Sequence, residues 1–307
     1  MAKNDIKLII QGGALCAAFS FMALFIPIVG VIFNYFSLLP IFYVGLTLGI
    51  RAYAMAMAIP LIMSICLPGP SLQFFCVTLA APSVAILYWH FLKTKDTYSY
   101  SSVDILHLLT SRFLGIIILG FCYLKFSNNL FFNSIWLANL HQQVAEIIQL
   151  AKVQTSTKNI VESLPGVFAF CWLTMVWLNF QMAYAMALKS NKAIRQPLIS
   201  QNQTLKPIWD IILIAAIWLM LLNDLLAGPE ILQIFARTCL CISAFPLLID
   251  GLEIIQLITK AHKIPRYTII LSMVITFMLV WPMIFVVLLG LVEPWYGLKQ
   301  KYLSKLN

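Results

Sequence analysis

The chain has 307 residues, 62% of them hydrophobic and only 10% charged, with a net charge of +9. A soluble domain carries about 25% charged residues and about 45–50% apolar ones. A water-soluble globular fold is therefore excluded. Apolar runs long enough to cross a bilayer recur throughout, as in a polytopic membrane protein. They are continuous rather than alternating, so the spanning elements are helices and not barrel strands. The basic residues sit in short links between these runs, the pattern of cytoplasmic loops, which argues against a nucleic-acid partner.

Nine apolar segments follow one another at about 8–32, 36–50, 52–67, 72–92, 105–125, 164–188, 208–227, 231–258 and 267–291. The first is too long for the apolar core of a signal peptide and reads as an uncleaved span. It carries Ala14 and Ala18, a spacing at which another helix backbone can come close. The second, LLPIFYVGLTLGIRA at 38–52, holds Gly45 and Gly49 at the same spacing and ends near Arg51. An arginine at the bilayer centre costs at least about 2.5–3.5 kcal/mol. Arg51 therefore marks a tight interfacial turn where one short helix ends and another begins. The third segment contains Pro60, which frees a backbone carbonyl for neighbouring helices to satisfy.

Residues 134–163 differ from the rest. Apolar residues at 137, 140, 144, 147, 148 and 151 form a helical stripe, opposite a face carrying Gln142, Gln143, Glu146, Gln149 and Lys152. This stretch is too polar to span. It reads as one amphipathic helix on the outer surface, followed by a polar link, and acts either as a plain connector or as a cap over an outward-facing pocket.

Polar residues inside spans are candidates for function. The sixth segment has Asn179 and Gln181; the seventh has Asn223 and Asp224, just before a Gly228–Pro229 turn. In the eighth, Arg237 lies about one turn out of register with Asp224 across that turn. The two form a structural ion pair, or bind a solute, or Arg237 reaches for the outer interface. Asp250 and Glu253, three apart, share a helix face near the cytoplasmic end of the same segment.

The positive-inside rule places the N terminus in the cytoplasm, with Arg51, Lys93, Lys95, the 189–206 cluster and the 260–266 cluster. The fit holds through eight segments. A ninth crossing would leave Lys299, Lys301 and Lys305 outside, so eight and nine spans both remain open. The expected architecture is an all-α transmembrane bundle of eight or nine spans with one interfacial amphipathic helix. It forms a single domain, 1–307, made of N-terminal helices 1–128, an outer connector 129–163 and C-terminal helices 164–307.

No hydrolase, zinc-protease or nucleotide-binding motif occurs, and the four histidines are never spaced as metal ligands. No enzyme, metal or cofactor is expected. The seven cysteines all lie in apolar runs and suggest no disulfide framework.

The stretch LPIFYVGLTLGIRAYAMAMA resembles the second and third helices of substrate-capture subunits of energy-coupling-factor vitamin transporters. The stretches FPLLIDGLEIIQLITKAHKIPRY at 245–267 and LLGLVEPWYGLKQKY at 288–302 resemble a bacterial membrane family called DUF2232, or YybS-like, across nearly the whole chain. That family shows an acidic residue, an aromatic one and a basic one in the second stretch. Here they are Glu293, Trp295 and Lys299, with lysine where arginine is usual. The resemblance implies a distant kinship of the 1–128 region with capture subunits, in which small residues spaced as Ala14 and Ala18 touch the coupling membrane protein. Two functions follow as expectations. The first is a small-solute capture or transport subunit in the bacterial cytoplasmic membrane, working with a coupling membrane protein and an ATPase. The second is a membrane scaffold without transport. Neither identifies the small-molecule ligand.

Overall fold

A computed structural model describes residues 3–25, 32–66, 102–126, 142, 145–146, 156–190, 207–226, 228–263, 265 and 280–304. The fourth apolar segment, 72–92, most of the 129–155 connector with its amphipathic stripe, and the basic residues Lys93, Lys95, Lys192, Arg195, Lys206 and Arg266 lie outside the described residues. Regular structure in the described residues is helical: α1 (Lys3–Phe25), α2 (Leu39–Leu48), α3 (Ile50–Cys66), α4 (Ser102–Phe126), α5 (Thr157–Lys189), α6 (Ile208–Leu225), α7 (Glu230–Ala261), α8 (Val280–Tyr296) and α9 (Leu298–Leu303). Among the described residues, five helices contain stretches long and apolar enough to cross a membrane: Asn4–Met22, Ile105–Cys122, Thr157–Lys189, Ile208–Leu225 and Glu230–Ala261. Helices α2, α3 and α8 are shorter, at 10, 17 and 17 residues. Outward faces are as apolar as the interior, with Ile211, Trp218 and Leu225 of α6 and Ile116 and Leu119 of α4 exposed. Such a surface suits lipid rather than water.

The chain divides into two compact units, Met1–Leu109 with Leu173–Ser200, and Thr110–Trp172 with Gln201–Asn307. In the first unit, α1 packs on α2 and α3 through Gly12 and Gly13. A Cβ on Gly13 would lie 2.5 Å from the Ala56 carbonyl oxygen, and one on Gly12 would meet Val44. Cys16, Ala17 and Ser20 continue the buried stripe, whereas Ala14 and Ala18 are exposed. Ile9, Val44, Ala52 and Ala56 form the core at this crossing. Between helices surrounded by lipid, attraction comes from close van der Waals contact, which small residues permit.

The break near Arg51 is a single residue. Gly49 follows α2 at φ +91°, donates its N–H to the Gly45 carbonyl at 2.9 Å, and α3 begins at Ile50. A side chain is strained at that φ, which explains the glycine. Gly45 is buried within α2, but Gly49 is a hinge rather than the second half of a helix-packing face. The reading of the two as one packing face is corrected on this point.

In the second unit, α6 and α7 form an antiparallel hairpin, the start of α5 lies against α7, and α8 packs along α7. Pro165 and Gly166 look like breakers, yet α5 runs through them from Thr157. Residues 157–163, expected as part of a polar link, are its first two turns. Gly166 sits where a Cβ would come within 3.0 Å of the Arg237 carbonyl and the Cys241 sulfur. Phe170 meets Phe245 edge-on at 5.8 Å one turn further along.

Candidate functional site

Among the described residues, three of the buried charged side chains, Asp250, Glu293 and Lys299, lie together on α7, α8 and α9. Gly251 of α7 abuts the Val286 carbonyl of α8, and Gly290 of α8 abuts the Leu247 carbonyl of α7. Gly290 lies against both the Leu247 carbonyl and the Gly251 N–H, so the two helices cross at these two glycines. With no side chain between the backbones, the helices close to direct contact. Leu248, Leu252 and Val286 fill the flanks.

This approach brings the two stretches of the family resemblance together. Glu293 ends up fully buried near the end of α8. Gly297 then adopts a left-handed conformation at φ +56°, and the chain turns back as α9. The Glu293 carboxylate accepts the backbone N–H of Lys299 at 3.1 and 3.2 Å, satisfying a donor that the first turn of α9 leaves open. The Lys299 ammonium, 3% exposed, is ion-paired with Asp250 Oδ1 and donates to Glu253 Oε2 at 2.8 Å. Asp250 is buried, and its Oδ2 has no donor among the described residues. Two carboxylates thus meet the ammonium, and a third, Glu293, holds the backbone N–H of the same residue. A charge buried this deeply is stable only with a partner, so removal of Lys299 strands Asp250.

A second polar assembly ties the other end of α7. Asn223 donates to Gln233 Oε1 at 3.2 Å, and Gln233 donates to Asp224 Oδ1 at 3.0 Å. Arg237 does not serve as the partner of Asp224. It pairs with Glu162 of α5 at 2.8 Å and donates to Ser163 Oγ at 3.0 Å and the Asn159 carbonyl at 3.1 Å. The expected Asp224–Arg237 pair is therefore corrected. Gln233, one turn nearer the hairpin, takes Asp224, and the arginine turns to a glutamate 75 residues earlier in the chain. Lys158 stands 3.7 Å from the same glutamate.

Asn179, in the first unit, donates to the Tyr35 carbonyl at 2.6 Å and the Met175 carbonyl at 2.8 Å. Its side-chain oxygen is buried without a donor among the described residues. Gln181 is half-buried. Trp295 is exposed beside the buried Glu293. Ala14 and Ala18 edge an open groove of about 740 Å³, floored by Gly12 and Val44 and walled by Pro40, Tyr43 and Met186. Sequence reasoning did not nominate Glu162, Gln233, Gly251 and Gly290, and it placed Lys299 in a motif without a partner. Scarcity was the available signal for Glu162: the chain has 11 acidic residues, and few lie near an arginine that needs one.

An all-helical chain with several apolar helices and internally neutralised charges defines a membrane protein. Its residues 14–293 match the model of the DUF2232 family, described as a predicted membrane protein, and the chain belongs to that family. No curated protein and no solved structure matches it.

Proposed function

We propose that this chain is a small-solute capture subunit that works with a coupling membrane partner. One observation carries the reading: Ala14 and Ala18, the small pair on α1, are left out of the chain's own packing and edge an open apolar groove. Small residues at that spacing suit the backbone of another transmembrane helix. In this reading the chain catalyses no reaction and contains no ATP site, so energy comes from an ATPase held by the partner. It sits in the bacterial cytoplasmic membrane with eight or nine crossings and its N terminus in the cytoplasm, as its basic loops favour.

The test places a photo-crosslinking residue at position 14 and, as a control, at the exposed Ile116 of α4. Capture from position 14 alone of a membrane protein that also binds an ATPase supports the proposal, as does a small solute retained by the purified protein. Lipid adducts alone at both positions, with no retained solute, argue against it.

A second reading, a membrane scaffold without transport, has its own support. Asn179, Asn223, Asp224 and Arg237 all bond to protein groups, which leaves fewer of their polar atoms for a solute. A partner captured from position 14 without any ATPase or solute favours this reading.

A further inference from the structure

We infer that the groove between α1, α2 and the end of α5 holds an anionic phospholipid, with an acyl chain along the groove and the phosphate at Lys7 and Lys189. This goes beyond the solute-capture reading and does not rest on it.

The groove is apolar along most of its length. Leu8, Leu15 and Phe19 of α1, Leu39 and Val44 of α2 and Met186 of α5 line it. Leu15 and Met186 are each 48% exposed, so the walls are open to an apolar occupant. From Leu8 to Phe19 the lined stretch of α1 is about 16 Å long, at about 1.5 Å per residue. The hydrocarbon core of a bilayer is about 30 Å thick, so each leaflet contributes about 15 Å. The groove therefore has the length of one leaflet's acyl chains. A partner helix packed on Ala14 and Ala18, at its edge, would close over the lipid.

One end of the groove is polar and carries the matching charge. Gln11 and Tyr43 line it, and the Tyr43 hydroxyl lies 3.3 Å from Ser190 Oγ, just past the end of α5. Leu8 and Leu48, the last residue of α2, pack on the same core cluster, which puts Lys7 at that end. Lys7 stands four residues before Gln11 and shares its helix face. Lys189 stands three residues after Met186 and next to Ser190. Both lysines are exposed, and neither ammonium has an ion pair among the described residues. A phosphate between two ammonium groups, with hydroxyls beside it, gains charge-assisted hydrogen bonds. A zwitterionic headgroup brings an ammonium of its own to the same place and gains less, because basic residues at a membrane surface favour net negative lipid.

The probe is phosphatidylglycerol, compared with phosphatidylethanolamine of the same acyl chains. Each is titrated into the purified chain in detergent, and bound lipid is read by native mass spectrometry. The wild type should bind phosphatidylglycerol about 5–30-fold more tightly, as two lysines near the phosphate imply. Lys7→Gln with Lys189→Gln should remove that preference. Lys260→Gln with Lys263→Gln, residues that do not line the groove, should keep it. Equal binding of both lipids by the wild type, or an equal loss in both double variants, overturns the inference. Should the Lys7 and Lys189 variant fail to fold, a phosphatidylglycerol with a diazirine in its acyl chain decides on the wild-type chain. Adducts concentrated within 8–19 and 39–44 support the inference, and adducts that do not favour these residues overturn it. No partner is present in either measurement, so lipid binding and capture from position 14 succeed or fail separately.

Discussion

Replacing Arg237 with glutamine tests the assignment of its partner. The guanidinium holds Glu162 at 2.8 Å, and that carboxylate's side chain is 3% exposed. Breaking a buried pair by removing one member costs about 3–5 kcal/mol, because the remaining charge is stranded. Two features reduce that figure here. Arg237 retains 20% side-chain exposure, and Lys158, at 3.7 Å, stays near Glu162. A loss of about 2–3 kcal/mol is expected, against which the retained lysine and partial hydration are set. At about 2–4 °C per kcal/mol, thermal unfolding in detergent should fall by about 4–12 °C. The same measurement on Glu162→Gln and on the double variant completes a cycle. The double variant should be no worse than the worse single, giving a coupling above about 1 kcal/mol. A parallel cycle with Asp224→Asn should be additive within about 0.5 kcal/mol, since Asp224 is bonded to Gln233 instead. Stronger coupling of Arg237 to Asp224 than to Glu162 would refute the assignment.

Lys299→Met should destabilise the protein strongly, and adding Asp250→Asn should restore part of the loss; denaturation of the single and double variants in detergent checks the order. Gly290→Ala, which drives a methyl into the Leu247 carbonyl, should cost at least about 1–3 kcal/mol. Gly115→Ala, with nothing within 4 Å, should be neutral or stabilising by up to about 1 kcal/mol in the same thermal assay. Gly49→Ala should cost about 1–2 kcal/mol through backbone strain. If Gly49→Ala proves harmless, the hinge tolerates another conformation.

The helical membrane character and the break at Gly49–Arg51 were legible because each leaves a local mark. A charge that interrupts an apolar run must sit at a boundary, which located the turn at Arg51, whereas Gly49, which makes it, was read as a packing residue. The start of α5 was placed at 164 because residues 157–163 are polar, whereas the helix runs through them and on through Pro165, which neighbours accommodate. The 245–267 and 288–302 stretches stood out by resemblance, and Asp250, Glu253 and Glu293 do meet there around Lys299. Gly251 and Gly290, which let those helices meet, were passed over. Each is a lone glycine in its own segment, and no spacing within one helix announces a contact between two. Arg237 shows the same limit. Its nearest acidic residue in the folded hairpin seemed to be Asp224, but helix phase placed Gln233 there and left Glu162 for the arginine.

The link between Lys299 and Asp250 also sets an order of events during synthesis. The two residues are 49 positions apart. At about 5–20 residues per second, Asp250 is made about 2–10 s before the lysine that neutralises it. For that interval α7 carries Asp250 and Glu253 without the Lys299 cation that both contact in the folded chain. Its far end therefore reaches its final seating after Lys299 has emerged, and a ribosome stalled between the two codons holds a nascent chain whose α7 lacks its closing cation.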